Sequence, residues 1–425
     1  MKKDKYFTPQ VMLAIFAVAV AGSVIYQPPY FYSAYYDAFM EAFGMTHQQI
    51  GLMIAVYGWG NLLTYIPGGI LADKFSPKIM LVASLFSTAA VTLWMALSMN
   101  AMTAILSAGA FSITTCLLFF TAGNKAIRVI GGADHCATAF SSYYGLSSWI
   151  GFLFGMVQIW IYDQFATTHA AIFWSIIVLA ASCFIAGVLV LIFYKEDKKN
   201  ITKDGDDEKI KIRDIPAIAK NSKLWVAALL MGMFCAVNGS ISYFVPYLTS
   251  CHGLSISHGA LFSNLTQYGL AIICPIGGYI VDKVLKSTTK LYVIGFVLVI
   301  ALLAVVIAMP TMGLPMAILF ATLITAVSSI MNSIVWSILD EINIPIKYAA
   351  TAVGLASMIV YAPDLFLYNI YGYWLDTFGE AAGYQKLWIC TAGIAAAAIV
   401  VSFILLHMNK DNAKAAASAE AETAE

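Results

Sequence analysis

Charge is what this chain has least of. Asp, Glu, Lys and Arg make up 11% of its 425 residues, against about 25% in ordinary soluble proteins. The 23 acidic residues balance the 23 basic ones, so no net field draws in polyanions and no nucleic-acid partner is expected. Histidine is scarce too. The six, His47, His135, His169, His252, His258 and His407, fall in loops or near the ends of apolar runs, a scatter that fits interfacial placement better than a metal site. Seven cysteines show no CxxC and no metal-ligand spacing, and Cys116, Cys183, Cys235, Cys274 and Cys390 sit inside apolar runs, where they read as small core residues. No Ser/His/Asp set, metal cluster or phosphate-binding loop occurs in the hydrophilic segments. Neither an enzyme nor a cofactor is expected.

What the chain has in excess is hydrocarbon. With 61% apolar residues and a mean hydropathy of +0.81, it cannot hide its side chains inside a water-soluble globule, and the lipid bilayer must be its solvent. Crossing a ~30 Å hydrocarbon core takes ~20 apolar residues in a helix. Twelve segments qualify, near residues 9–33, 48–71, 79–98, 101–127, 137–161, 169–194, 224–249, 257–281, 290–309, 313–340, 348–373 and 385–407. Lys and Arg are retained on the cytoplasmic side of short loops. When the segments are threaded alternately, only Lys386 falls outside. Both termini are then cytoplasmic, and a multi-pass protein of the plasma (inner) membrane is expected. The apolar run after Lys2-Lys3-x-Lys5 is too long for a cleaved leader and reads as the first span.

The chain also repeats itself. Gly22-Ser23-x-x-Tyr26-x-x-Pro29-Tyr30-x-x-Ser33 returns as Gly239-Ser240-x-x-Tyr243-x-x-Pro246-Tyr247-x-x-Ser250, an offset of 217. Ala137-Thr138-Ala139 with Asp163-x-Phe165 returns as Ala350-Thr351-Ala352 with Asp376-x-Phe378, offset 213, and Gly68-Gly69-x-x-x-Asp73-Lys74 as Gly277-Gly278-x-x-x-Asp282-Lys283, offset 209. Small loop insertions account for the drift. The expected organisation is an N-terminal six-helix bundle over 1–194, a cytoplasmic linker over 195–223, a second bundle over 224–407 and a disordered tail over 408–425. Duplicated bundles of this kind are a mark of secondary transporters.

Gly69-x-x-x-Asp73-Lys74-x-Ser76-x-Lys78, between the second and third spans, resembles the major facilitator superfamily signature G-x-x-x-D-R/K-x-G-x-R/K-R/K. Here Ser76 replaces the second glycine and Ile79 the last basic residue. Gly278-x-x-x-Asp282-Lys283 resembles the weaker copy these proteins carry in their second half. With the six-plus-six repeat, the resemblance covers essentially the whole chain and implies an all-α fold of twelve transmembrane helices in two pseudo-symmetric bundles. Tyr361-Ala362-Pro363 followed by Tyr371-Gly372-Tyr373-x-x-Asp376 is similar to bacterial members found beside sugar and sugar-acid catabolism. The resemblance further implies a latch that closes the cytoplasmic side, with Gly69, Asp73, Lys74, Lys78, Gly278, Asp282 and Lys283 as gating residues. Physically, small residues let helices approach, and an interfacial carboxylate can accept from an opposing helix N-terminus. Ordinary interfacial charge is the alternative.

Polar side chains inside a membrane face a cavity or a partner helix. Asp364 lies seventeen residues beyond Lys347, or ~25 Å along the eleventh span at ~1.5 Å per residue, where no Lys or Arg of another span neutralises it. Taking up a proton would remove its charge, so proton coupling is one reading and a water-bridged acid beside Pro363 is the other. Lys125 is a candidate partner for a carboxylate or sulfonate, although snorkelling to the interface explains it equally well. Tyr26, Gln27 and Tyr30 on the first span and Asn238, Tyr243 and Tyr247 on the seventh are candidate substrate contacts, as are Asn61, Gln267 and Tyr361. Further polar candidates, Tyr144, Gln158 and Asn264 among them, divide between cavity and helix-helix bonds. Hydroxyls and amides suit a polar solute, and aromatic faces suit sugar C–H surfaces. The leading expectation is a monomeric carrier of a small polar organic solute, such as a sugar or monoanionic sugar acid, by proton symport. The spans hold no pair of arginines for a dianion. Two alternatives stay open: proton-coupled export of lipophilic or cationic compounds, and a nontransporting membrane receptor.

Overall fold

The computed structural model describes residues 8–131, 136–195, 220–342 and 349–424. Every regular element among them is helical, as lipid requires, because a helix satisfies its backbone groups within one segment. Eight helices are each long and apolar enough to cross a membrane: Pro77–Leu97, Ala101–Gly131, Ala139–Asp163, Thr168–Phe193, Ser222–His252, Thr288–Ala308, Leu314–Ser333 and Glu380–Asn409. Pro9–Ile25 with Gln27–Ala34 adds a ninth. Three more follow the sequence pattern with weaker or interrupted runs. These are His47–Lys74, the run from Ile256–Tyr268 through Cys274–Tyr279, and Ala349–Val360 followed by Leu367–Phe378. The protein is a twelve-span, all-α membrane protein built of two six-helix halves.

Prolines set the breaks. Pro28 and Pro29 bring no N–H and their rings collide with the carbonyls of Val24 and Ile25, and the first span bends by 50° between Ile25 and Gln27. Pro246 acts likewise in the repeat, where helix Ser222–Ile241 ends and Phe244–His252 begins. The eleventh span is interrupted by a 3-10 turn at Ala362–Leu365 that holds Pro363. Helix starts are capped as their sequences prescribe: Thr46 and Gln49 form a reciprocal capping box before the second span, and Ser76 accepts from the Ile79 N–H at 3.4 Å to open the third. Ser76, the residue that departs from the superfamily signature, is thus an N-cap.

Two compact units emerge. The first contains the first six spans together with Leu254–Gly269 and Tyr368–Tyr373. Its core packs Ala17, Val18 and Ala21 of the first span against Leu81 and Leu85 of the third, Ala122 and Ala126 of the fourth, and Cys183, Ala186 and Val190 of the sixth. Alanine-rich faces of this sort let membrane helices pack by close van der Waals contact. The second unit contains the remainder of the second half. There Tyr292 is fully buried, donates to the Met331 carbonyl at 2.9 Å and meets Phe234 edge-on at 5.3 Å.

The eighth span and the last helix add two details. The start of the eighth span belongs with the first unit because the fifth span offers it a seat at Gly151-x-x-x-Gly155, where a Cβ on Gly151 would lie 2.6 Å from the Tyr268 ring and one on Gly155 would overlap Asn264. The last helix runs Glu380–Ala424, and alanine favours helix. The linker falls outside the described residues over 196–219.

Candidate functional site

The repeated glycines at the ends of the second and eighth spans show how the duplication is built. A Cβ on Gly68 would lie 2.9 Å from the Leu117 carbonyl, and one on Gly277 would lie 2.9 Å from the Ile330 carbonyl. Leu117 and Ile330 are themselves 213 residues apart, so each half makes the same backbone approach. The second glycine differs: Gly278 has nothing within 4 Å of such a Cβ. Lys74 and Lys283 are exposed and Lys78 is half-buried. The side chains of Asp73 and Asp282, and the surroundings of Gly69, lie outside what is described.

A cavity of about 240 Å³ opens inside the first unit. Its walls are the bend of the first span (Ser23, Tyr26, Gln27, Tyr30), the fifth span (Tyr144, Ser147, Ser148, Gln158) and the start of the eighth (Ser263, Asn264, Gln267, Tyr268). The proline bend creates it. Turning the chain away after Ile25 leaves Gln27 and Tyr30 facing open space instead of a continuing helix. The Gly151 and Gly155 seat then brings Asn264 and Tyr268 to the opposite wall.

Most polar groups on these walls already have partners. Gln27 donates through Nε2 to the Tyr268 hydroxyl at 2.8 Å, fixing the amide across the cavity. Asn264 donates to the Phe152 carbonyl at 3.1 Å, and Ser147 to the Ala19 carbonyl at 3.0 Å. Tyr30 stands edge-on to Tyr57 at 5.6 Å, and Tyr26 to Phe119 at 6.1 Å. Three side chains have buried groups with none among the described residues: both Gln158 amide atoms, the Ser23 hydroxyl and the Tyr35 hydroxyl lack a hydrogen-bond partner.

Of the residues singled out in the sequence, Tyr26, Gln27, Tyr30 and Gln267 come together here, with the further candidates Tyr144, Gln158 and Asn264. The remaining candidates lie elsewhere. Lys125 donates through Nζ to the Ala72 carbonyl at 2.7 Å, holding the fourth span to the second. Asn61 leaves its Oδ1 buried and without a partner on the second span, away from the cavity wall. In the second unit Asn238 accepts from Ser328 at 2.7 Å. Tyr243 is buried, and Tyr247 packs its ring against Tyr384 at 5.3 Å and Trp388 at 5.6 Å. The second copy of the tyrosine motif therefore feeds an aromatic cluster with the twelfth span, where the first copy faces a cavity. Tyr361 is 39% exposed. Asp364 sits on the 3-10 turn of the eleventh span and interacts electrostatically with Cys235 of the seventh. Glu341, at the end of the tenth span, caps the ninth: it accepts from the Thr288 N–H, from the Thr289 N–H at 3.2 Å and from the Thr289 hydroxyl at 2.5 Å.

Tyr268 and the glycine pair beneath it escaped the sequence reading. Gly151-x-x-x-Gly155 inside an apolar run was the available signal.

Twelve spans in two sequence-related halves, with a polar, uncharged cavity inside the first unit, are the architecture of a membrane solute carrier. The sequence profile of the Major Facilitator Superfamily matches residues 11–365, and the chain belongs to that family. It is similar to Inner membrane protein YqcE of Escherichia coli (strain K12), 25% identical over 96% of this chain and 98% of that one, and to Inner membrane protein YihN of the same organism, 25% identical over 96% and 98%. Its fold is similar to that of a bacterial homologue of the human lysosomal transporter Spinster in an inward-facing, unoccupied conformation (TM-score 0.75, 14% identity, covering 94% of this chain and 97% of that one). It is also similar to the nucleoside transporter NupG (TM-score 0.70, 16% identity, covering 94% and 98%).

Proposed function

We propose that this secondary transporter carries a small polar organic solute, a sugar or monoanionic sugar acid, by proton symport across the inner membrane, with both termini cytoplasmic. The cavity between the first, fifth and eighth spans carries the reading, because amides and hydroxyls converge there between tyrosine faces. Such walls fix orientation through hydrogen bonds and supply contact area through aromatic rings. Its volume of about 240 Å³ falls below the ~300–1,000 Å³ of pockets for drug-sized ligands, which favours a monosaccharide-sized solute over a bulky lipophilic one.

Asp364 is the proposed coupling acid. It stands on a broken span and has no ion-pair partner among the described residues. An unneutralised carboxylate in hydrocarbon is costly, and binding a proton removes that cost. The proton therefore becomes a second cargo whose binding the solute can bias.

The test is a thermal-stability screen of the purified protein with sugars, sugar acids, small carboxylates, sulfonates and lipophilic cations, at acidic and neutral pH, beside Asp364→Asn. Ligands of the folded state raise Tm. A polar solute is expected to stabilise, with a pH-dependent effect in the natural chain and a pH-independent one in Asp364→Asn. Stabilisation by lipophilic cations alone would overturn the reading in favour of export.

A further inference from the structure

Among the described residues, no Lys, Arg, His, Asp or Glu lines the cavity between the first, fifth and eighth spans. Lys125, which the sequence offered as a partner for a carboxylate, is engaged with the Ala72 carbonyl and does not line it. The nearby charge is of the wrong sign for an anion. Asp163 accepts a hydrogen bond from Ser257 and interacts electrostatically with Tyr35 on the cavity wall. A monoanionic solute entering here would lose its hydration and meet no counter-charge, and burying an unpaired charge is far costlier than burying a hydroxyl that finds a partner.

Gln158 gives the cavity its chemistry. The side chain is 3% exposed on the cavity wall, five residues before Asp163 at the end of the fifth span. Neither its Nε2 nor its Oε1 has a partner among the described residues. A carboxamide presents donors and an acceptor in one plane, the complement of two adjacent hydroxyls, one accepting and one donating. Ser23, 8% exposed on the same cavity wall, has a hydroxyl equally without a partner. Leaving such groups unpaired in a buried site is unfavourable, so a solute that pairs them is selected over one that cannot.

We infer that this cavity binds an uncharged, polyhydroxylated solute of monosaccharide size, with the Gln158 carboxamide bridging two neighbouring hydroxyls and Ser23 adding a third contact. The inference rests on the polar-solute reading above and narrows it: between a sugar and a sugar acid, the cavity takes the neutral sugar or polyol.

The test compares matched pairs, aldohexoses against the hexuronates of the same skeleton and pentitols against the corresponding pentonates, on the purified full-length protein at neutral pH. Intrinsic fluorescence from its nine tryptophans reads Tm and ligand affinity. At least one neutral member is expected to stabilise, with Kd about tenfold or more tighter than its acid partner. Gln158→Leu keeps the volume, removes both hydrogen-bonding atoms, and is expected to weaken the neutral ligand by about tenfold or more, as expected for a site built to pair hydroxyls. Should Gln158→Leu not fold, Gln158→Met and Ser23→Ala carry the same expectation, smaller for Ser23→Ala. Acids binding as tightly as their neutral partners would overturn this inference and leave polar-solute transport standing. Unchanged affinity in the folded Gln158 variants would overturn the role of the amide. Response to lipophilic cations alone, or to no polar compound in detergent or lipid nanodiscs, would overturn the transport reading with it.

Discussion

Gly68 shows how much a single hydrogen atom can decide. The space for its missing Cβ is occupied by the Leu117 carbonyl at 2.9 Å, a backbone group of a neighbouring span that cannot rotate away. Gly68→Ala is therefore expected to destabilise the protein by about 1–3 kcal/mol, the usual range for overpacking a filled site, read as a lowered Tm. An unchanged Tm would show that the second and fourth spans slide apart freely. At this scale the sequence was a partial guide. It marked Gly68 and Gly277 as a repeated pair, and it marked Tyr26, Gln27, Tyr30 and Gln267 as polar residues in apolar surroundings. Polarity inside a span says that a side chain needs a partner; it does not say which. Asn238 found its partner in Ser328 and Lys125 in the Ala72 carbonyl, while Gln158 found none among the described residues.

Helix ends and breaks were the most legible elements. Thr46, Ser76, Asn100, Thr167, Ser255 and Ser287 each accept from a backbone N–H in the first turn of the helix they open, because a short side-chain oxygen there satisfies an orphan donor. The ninth span has a second cap that arrives from the end of the tenth. Glu341 accepts from two backbone N–H groups and the Thr289 hydroxyl, and a carboxylate at a helix N-terminus also meets the positive end of the dipole. Glu341→Ala is expected to cost about 0.5–2 kcal/mol, with hydrogen exchange rising first at the Thr288–Thr289 end of that helix. Protection that stays level would mean water replaces the carboxylate at no loss. No local pattern could reveal this cap, since fifty-two residues separate Thr289 from Glu341.

At the scale of the whole molecule, the distribution of Lys and Arg predicts a topology that can be checked directly. In a cysteine-free background, single cysteines at Lys3 and Lys410 are expected to react with a membrane-impermeant maleimide only after the bilayer is opened, and one at Lys386 in intact cells. The reverse pattern would invert the transporter. Hydropathy and residue spacing carried the helical class, the twelve spans, the duplication and the family: hydrocarbon demands backbone bonds satisfied within a segment and ~20 apolar residues to cross, and the repeat and signature are legible in the order of residues. Tertiary structure alone decided where the polar residues meet. Two copies of one motif, 217 residues apart, have opposite fates, Tyr30 facing a cavity and Tyr247 closed in by Tyr384 and Trp388. The difference comes from the helices packed against each copy. A span's neighbours are chosen by close approaches such as Asn264 and Tyr268 settling over Gly155 and Gly151, which join residues more than a hundred positions apart.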